Sequence, residues 1–327
     1  MNLIMFKKII CKSCQVIFAL ALISCDSVDD IPVKDVHSTE RLSDAELTEI
    51  NQNRQRESSK QEVLENIFYF GFDLRNSPQE DIAQYIPFLK YLESATGYKF
   101  KLYLVGKDNS VIDELGKNNI QFAAMGAVSY IKANSQYGAQ LLVQGLNEKN
   151  RAEYRSYLIT LPNSRINRIP DVRGRTFAFG SKNSTQGFLI PRIILDDNNI
   201  DLKDLRSYAF TGSHQRCAEA VISGRADVCG LQDSLAEKLS SEGKVKIFYR
   251  SKYYPSSGIV ANNSVSEDVA KKVKRALLDF DPSKKYESEL YHWEQTEMPN
   301  GFVDSKMGGY KVLAEWLERL NLLSDEK

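Results

Sequence analysis

The stretch FAFGSKNSTQGFLIPRIIL, residues 177–195, holds the turning point on which the reading of the whole chain depends. It opens as a short apolar strand, passes through Gly180, Ser181, Lys182, Asn183, Ser184 and Thr185, and resumes as an apolar run with helical spacing. A helix that starts at Ser184-Thr185-Gln186-Gly187 leaves its first backbone N–H groups without intrahelical partners, at the positive end of its dipole. Two uses are open to those groups. Ser184 or Thr185 can cap the helix in the ordinary way. Alternatively, their hydroxyls and the amides of Thr185, Gln186 and Gly187 can hold the oxygens of an anion, with Gly187 letting the backbone approach closely. The local pattern alone favours the cap.

A second turn of the same form shifts that balance. FTGSHQRCAEAV, residues 210–221, again runs from a strand end through Gly212-Ser213-His214 into a helix. His214 is one of three histidines; His37 lies in a polar segment and His292 in a charged C-terminal region. Two such turns from neighbouring strands can converge on one oxyanion, and an imidazole N–H adds a side-chain donor.

Working outward, short strand-like and helix-like units alternate along the chain, the pattern of an open α/β sheet. IFYFGFD (67–73) reads as a strand, and PFLKYLESATG (87–97) as a helix with Pro87 in its first turn and Gly97 at its stop. The alternation continues through IQFAAMG (120–126), AVSYIKANSQYG (127–138) and AQLLVQGL (139–146), and resumes after YRSYLITLP (154–162). Extended crossings near 150–160 and 250–260 divide the pattern, so two α/β lobes with a cleft between them are expected. Ligands of such sheets bind beyond the carboxyl ends of the strands.

The chain has 327 residues, 42% hydrophobic and 26% charged, with a formal net charge of zero. That composition suits globular domains and offers no basic surface for nucleic acid. The first residues stand apart. MNLIMFKKIICKSCQVIFALALISC (1–25) carries Lys7, Lys8 and Lys12, then an apolar run too short to span a bilayer, then Leu22-Ile23-Ser24-Cys25. It resembles the lipobox of bacterial lipoproteins, which implies cleavage before Cys25 and lipid on its thiol. Residues 1–24 are then an export signal and 25–65 a polar tether with too few large apolar residues for a core. Export removes Cys11 and Cys14, leaving Cys217 and Cys229. A disulfide between them is permitted but left open, and two cysteines make a poor metal site. No metal and no cofactor are expected.

Taken in order and spacing, GRTFAFGSKNSTQGFLIPRIIL (174–195), FTGSHQRCAEAVISGRADV (210–228) and YYPSSGIVAN (253–262) resemble the phosphate, phosphite and phosphonate-binding proteins of ABC transporters. The likeness extends to AAMGAVSYIKA (123–133) and EMPNGFVDSKMGGY (297–310). The resemblance implies a two-lobed class II periplasmic-binding-protein fold, α/β, with a hinge of two crossing strands and a ligand cleft between lobes. Residues 66–150 and 255–327 would form the first lobe and 151–254 the second. It assigns ligand binding to Ser184, Thr185, Gln186 and His214, with Gly126, Tyr130, Ser257 and Asn109 added; Gln186 stands where a third serine is common, and Tyr130 either faces the cleft or merely packs its helix. Family members that take aminoalkyl phosphonates hold the ammonium with acids. Here Ser257 replaces an expected aspartate, Asn109 and Met125 stand where tyrosines are expected, and Leu231-Gln232-Asp233-Ser234 occupies the region where an acid is expected. Phosphate, phosphite or a small alkyl phosphonate fits these departures better than 2-aminoethylphosphonate.

The expected protein is therefore a lipid-anchored, extracytoplasmic binding protein of the cell envelope, partnered by an inner-membrane ABC permease with its ATPase. A sensory lipoprotein of the same fold reporting to a membrane partner is the alternative. An enzyme is not expected: there is no G-x-S-x-G elbow, Ser213 and His214 are adjacent at a helix start, and HWEQTE around His292 lacks the H-E-x-x-H spacing.

Overall fold

The computed structural model describes residues 67–75, 77–106, 109–283 and 289–323. The export signal, Cys25 and the tether to residue 65 lie outside the described residues.

Strand β1 (Ile67–Phe72) buries Phe70 and Phe72. The helix that follows, α1 (Pro78–Thr96), starts earlier than the Pro87 expected from the sequence. Ser77 caps it by accepting from the Glu80 N–H, Pro78 occupies the first turn, and Glu80 and Asp81 face the positive end of the dipole. These are all the signals a helix start needs. Pro87 lies inside the helix, where it removes one backbone bond. Burial of Tyr85, Phe88, Leu89 and Leu92 offsets that loss, at roughly 1.5–3 kcal/mol per large apolar side chain. The helix ends, as expected, on Gly97 at φ 71°.

β2 (Lys99–Leu102), α2 (Val111–Gly116), β3 (Phe122–Met125), α3 (Ala127–Tyr137) and β4 (Gln140–Gly145) complete the first run of alternating elements. With β12 (Gly258–Ala261) and β13 (Phe302–Asp304) they build a six-stranded sheet, in the order β13-β4-β12-β3-β1-β2. β1 is parallel to β2 and β3; β12 runs antiparallel to β3 and β4. β13, which periodicity did not reveal, is a three-residue edge strand on β4. An aromatic cluster fills one face of this sheet. Phe88 stacks on Trp293 at 4.9 Å between ring centroids, and Phe280 and Phe302 pack against Phe88.

The second sheet has the order β10-β6-β9-β7-β8. Its strands are β6 (Ser156–Thr160), β7 (Thr176–Phe179), β8 (Ser207–Phe210), β9 (Val228–Gln232) and β10 (Lys246–Arg250). β7 is parallel to β8 and β9. After β7 a π-helical turn, Thr185–Leu189, leads into α4 (Ile190–Asp197). α5 (His214–Ile222) follows β8, and α6 (Asp233–Ser241) follows β9. Cys217 of α5 is disulfide-bonded to Cys229 of β9 with Cα atoms 5.9 Å apart, which resolves the pairing that the sequence leaves open.

The chain passes between the sheets twice, and the two crossings lie side by side. β5 (Glu153–Tyr154) pairs antiparallel with β11 (Tyr254–Pro255), Tyr154 opposite Tyr254. The remaining helices, α7 (Glu267–Leu278) and α8 (Gly308–Arg319), belong to the C-terminal part. No helix among the described residues is long and apolar enough to cross a membrane.

Candidate functional site

Four strands, a parallel pair from each sheet, end at one place. The segments after β1, β3, β7 and β8 together line a small cavity, through Asp73 and Arg75, Gly126, Ser184 and Thr185, and Ser213 and His214. It leaves about 20 Å3 for the centre of a water-sized group, where a single water needs roughly 10–15 Å3. The site is therefore a tight polar niche at the carboxyl ends of strands from both sheets, the position that topology favours for ligands.

Both helix starts act as caps. Ser184 Oγ accepts from the Gly187 N–H at 2.9 Å, and Ser213 Oγ accepts from the Arg216 N–H at 3.3 Å. Each hydroxyl still has its own proton to donate. The first amides of each helix remain outside the helical ladder, as at any helix N-terminus. Thr185 is shared with the other lobe: its Oγ1 accepts from the Val128 N–H of α3 at 2.9 Å. Gly187 permits the close approach read from the sequence. A Cβ there would lie 2.8 Å from Ser184 Oγ and 3.1 Å from Gly180 Cα, while the Gly180 N–H donates to the Gly187 carbonyl at 2.9 Å. The first turn is wide, with the Ile190 N–H bonding to the Thr185 carbonyl, a geometry frequent at functional positions.

His214 is 3% exposed, and its Nδ1 is buried with no hydrogen-bond partner. Burial, with a smaller push from the Arg75 charge, pulls its pKa down to about 3. The ring is neutral, one nitrogen donating and the other accepting. A buried polar atom with nothing to bond calls for an explanation, and a ligand in the adjoining cavity is the natural one.

Two charged residues that the sequence reading did not single out line the niche, Asp73 and Arg75, with Glu297 behind Arg75. Arg75 Nη1 pairs with Glu297 Oε1 at 2.6 Å, and Nη2 donates to Ser257 Oγ at 3.2 Å. The Ser257 hydroxyl also donates to Glu297 Oε2. Burial works against the Arg75 charge, but Glu297 and Asp73 outweigh it and hold its pKa above the usual arginine range. Asp73 Oδ2 accepts from the Gly126 N–H at 2.9 Å. Burial pushes this carboxyl above its usual range, against the pull of Arg75 and the Gly126 amide. Gly126 lines the niche closely: a Cβ there would be in ordinary van der Waals contact, 3.4 Å from Thr185 Oγ1 and 3.6 Å from Arg75 Nη2.

The remaining expected residues lie elsewhere. Gln186 is buried, but its side chain points to the crossing, with Nε2 donating to the Arg155 carbonyl at 2.9 Å and to Asp233 Oδ1 at 3.4 Å. Only its backbone belongs to the helix start. Asp233 there is raised to about 6 by burial, against the Arg155 and Ser234 amides. Tyr130 packs edge-on against Tyr310 at 5.3 Å and directs its hydroxyl to Met307 Sδ, so it supports α3 instead of facing the niche. Asn109 is exposed in the loop before α2, its N–H bonded to the Gly106 carbonyl, away from the cavity lining. Ser257 stands behind Arg75 and reaches the niche only through it. The signal for Arg75 and Asp73 was present in FDLRNSP (72–78), a charged pair between a strand end and a helix cap.

Comparison with known proteins bears directly on this arrangement. The model of a family described as "ABC transporter, phosphonate, periplasmic substrate-binding protein" matches residues 70–304, well over half the chain. The chain belongs to that family. Within it, the chain is 26% identical over 244 residues to the phosphonates-binding periplasmic protein of Escherichia coli K12, covering 71% of this chain and 72% of that protein. It is 25% identical over 224 residues to the phosphate-import protein PhnD of Mycolicibacterium smegmatis, covering 63% and 70%. Among solved structures, PhnD1 of Prochlorococcus marinus MIT 9301 in complex with methylphosphonate superposes with a TM-score of 0.71 at 19% identity, covering 79% of this chain and 99% of that one. The two-lobed fold of the periplasmic binding proteins is thus shared. As a family member the chain is a substrate-binding component of an ABC transporter and not an enzyme. It acts on the extracytoplasmic side with the transporter's membrane components.

Proposed function

We propose that the chain captures a compact phosphorus oxyanion (phosphate, phosphite or a small alkyl phosphonate) in the niche between its lobes and hands it to an inner-membrane permease. The observation that carries this reading is the convergence of two helix starts, at Ser184-Thr185 and Ser213-His214, on one cavity beside Arg75. Ser184 and Thr185 donate through their hydroxyls and the first helical amides, and the neutral His214 ring donates one N–H. Hydrogen bonds to a charged group contribute roughly 1.5–3 kcal/mol each, so a handful suffices for micromolar binding, about −8 kcal/mol. The names of the relatives, phosphonate, phosphate and phosphite, all fall within this ligand class.

Residues 66–150 with 255–327 act as one lobe and 151–254 as the other, closing about the paired crossings, with ligand contacts favouring the closed state. Cys25 carries the lipid, and 25–65 tether the body to the membrane, a reading that rests on Leu22-Ile23-Ser24-Cys25 after a basic, apolar leader. Metabolic labelling with a fatty-acid probe is expected to mark the wild type and not Cys25→Ala; equal labelling of both removes the anchor. Titration calorimetry against phosphate, phosphite, methylphosphonate and sulfate tests the ligand class. Micromolar binding of at least one phosphorus oxyanion is expected, and no heat from any of them rejects the reading.

A further inference from the structure

Arg75 stands between two small voids. One is the oxyanion niche; the other, of about 10 Å3 by the same measure, is lined by Arg75 together with Gln84, Tyr85, Gln232, Gln295 and Glu297. Nothing but the Arg75 side chain is common to both linings. The guanidinium is held by Glu297 at 2.6 Å and by Ser257 Oγ at 3.2 Å, and the backbone N–H of Arg75 donates to Asp81 Oδ2 at 2.9 Å. Glu297 itself is 5% exposed in its side chain, so the pair is anchored in the lobe and does not swing in solvent. Buried ion pairs of this kind hold their geometry because losing either partner strands the other charge.

We propose, building on the oxyanion reading above, that Arg75 is a specificity-determining residue that closes the niche behind the bound oxyanion. A tetrahedral oxyanion directs its fourth substituent away from the three oxygens gripped by the helix starts. The guanidinium wall leaves space there for a proton, a hydroxyl or a single small group. A chain of two or more carbons would need the space that Arg75 fills. The class of ligand selected is therefore the inorganic phosphorus oxyanions, phosphate and phosphite, over organophosphonates of ethyl size and above. The second void is the continuation of the slot that would open if the wall were removed.

The test is a calorimetric series of phosphate, phosphite, methyl-, ethyl- and propylphosphonate on the wild type, Arg75→Ala, and Arg75→Ala/Glu297→Gln. The double variant removes both charges, so folding does not have to bear a stranded carboxylate. The wild type should bind ethyl- and propylphosphonate at least tenfold more weakly than phosphate. In the variants, the ratio of ethylphosphonate to phosphate affinity should rise at least tenfold. A structural role alone would weaken all ligands together and leave that ratio unchanged. Wild-type affinity for ethylphosphonate equal to that for phosphate, or an unchanged ratio in a folded variant, overturns the wall while leaving the oxyanion reading intact. A wild type that binds none of the five overturns both.

Discussion

His214 opens its helix as a neutral imidazole walled off from water, and this has a consequence for stability. Its folded pKa of about 3 lies well below the ordinary value of 6.5, so the unfolded chain takes up a proton that the folded one refuses. The stabilisation is complete above pH 6.5 and falls as pH drops from there toward 3, by about 1.4 kcal/mol per pH unit. Asp73 and Asp233 have raised pKa values and act in the opposite sense, losing relative stability as pH rises. The urea midpoint of the wild type should therefore fall between about pH 7 and pH 4.5 by more than that of His214→Asn. Parallel falls would mean that the ring is not held neutral. The position of His214 at the niche was legible because a Gly-Ser-His turn between strand and helix is a local pattern. That of Arg75 was not, because its partner Glu297 is 222 residues away and meets it only once the sheet is built. Of the two readings open for Tyr130 in the sequence, packing is the one the structure shows, because Tyr310 lies edge-on against it.

At the level of elements, the strand-to-helix turns were readable and the edges were not. The π-helical turn after Ser184 lies where a plain helix was expected, since an i→i−5 bond leaves no trace in apolar spacing. The start of α1 was misplaced because Pro87 suggested a first turn, whereas Ser77-Pro78 supplies both cap and proline. β13 escaped notice because three residues are too few to show alternation. The disulfide ties α5, which presents His214, to β9 at the centre of its sheet. It closes a short loop, with a sequence separation of 12, and such links contribute roughly 2–4 kcal/mol. Cys217→Ser/Cys229→Ser should melt about 4–16 °C lower than the oxidised wild type by calorimetry, at roughly 2–4 °C per kcal/mol. A melting point within about 1 °C would show that the link carries no load.

For the whole molecule, the alternation of strands and helices told of two α/β bodies, but only their contact shows how the site is made. Thr185 meets the Val128 amide, and Asn183 Oδ1 accepts from Lys132 Nζ at 2.8 Å, so the lobe bearing the two helix starts docks on the N-terminal half of α3. One side of the niche is thus supplied by each sheet, and neither half alone encloses the cavity. The central claim is that donors at two neighbouring helix starts, with His214, hold that anion. Titration calorimetry with phosphate and phosphite on the wild type and on Thr185→Ala/His214→Ala, with circular dichroism to establish that both are folded, tests it most directly. At least tenfold weaker binding in the double variant, or 1.4 kcal/mol and more, is predicted; affinity equal to that of the wild type in a folded double variant would contradict it.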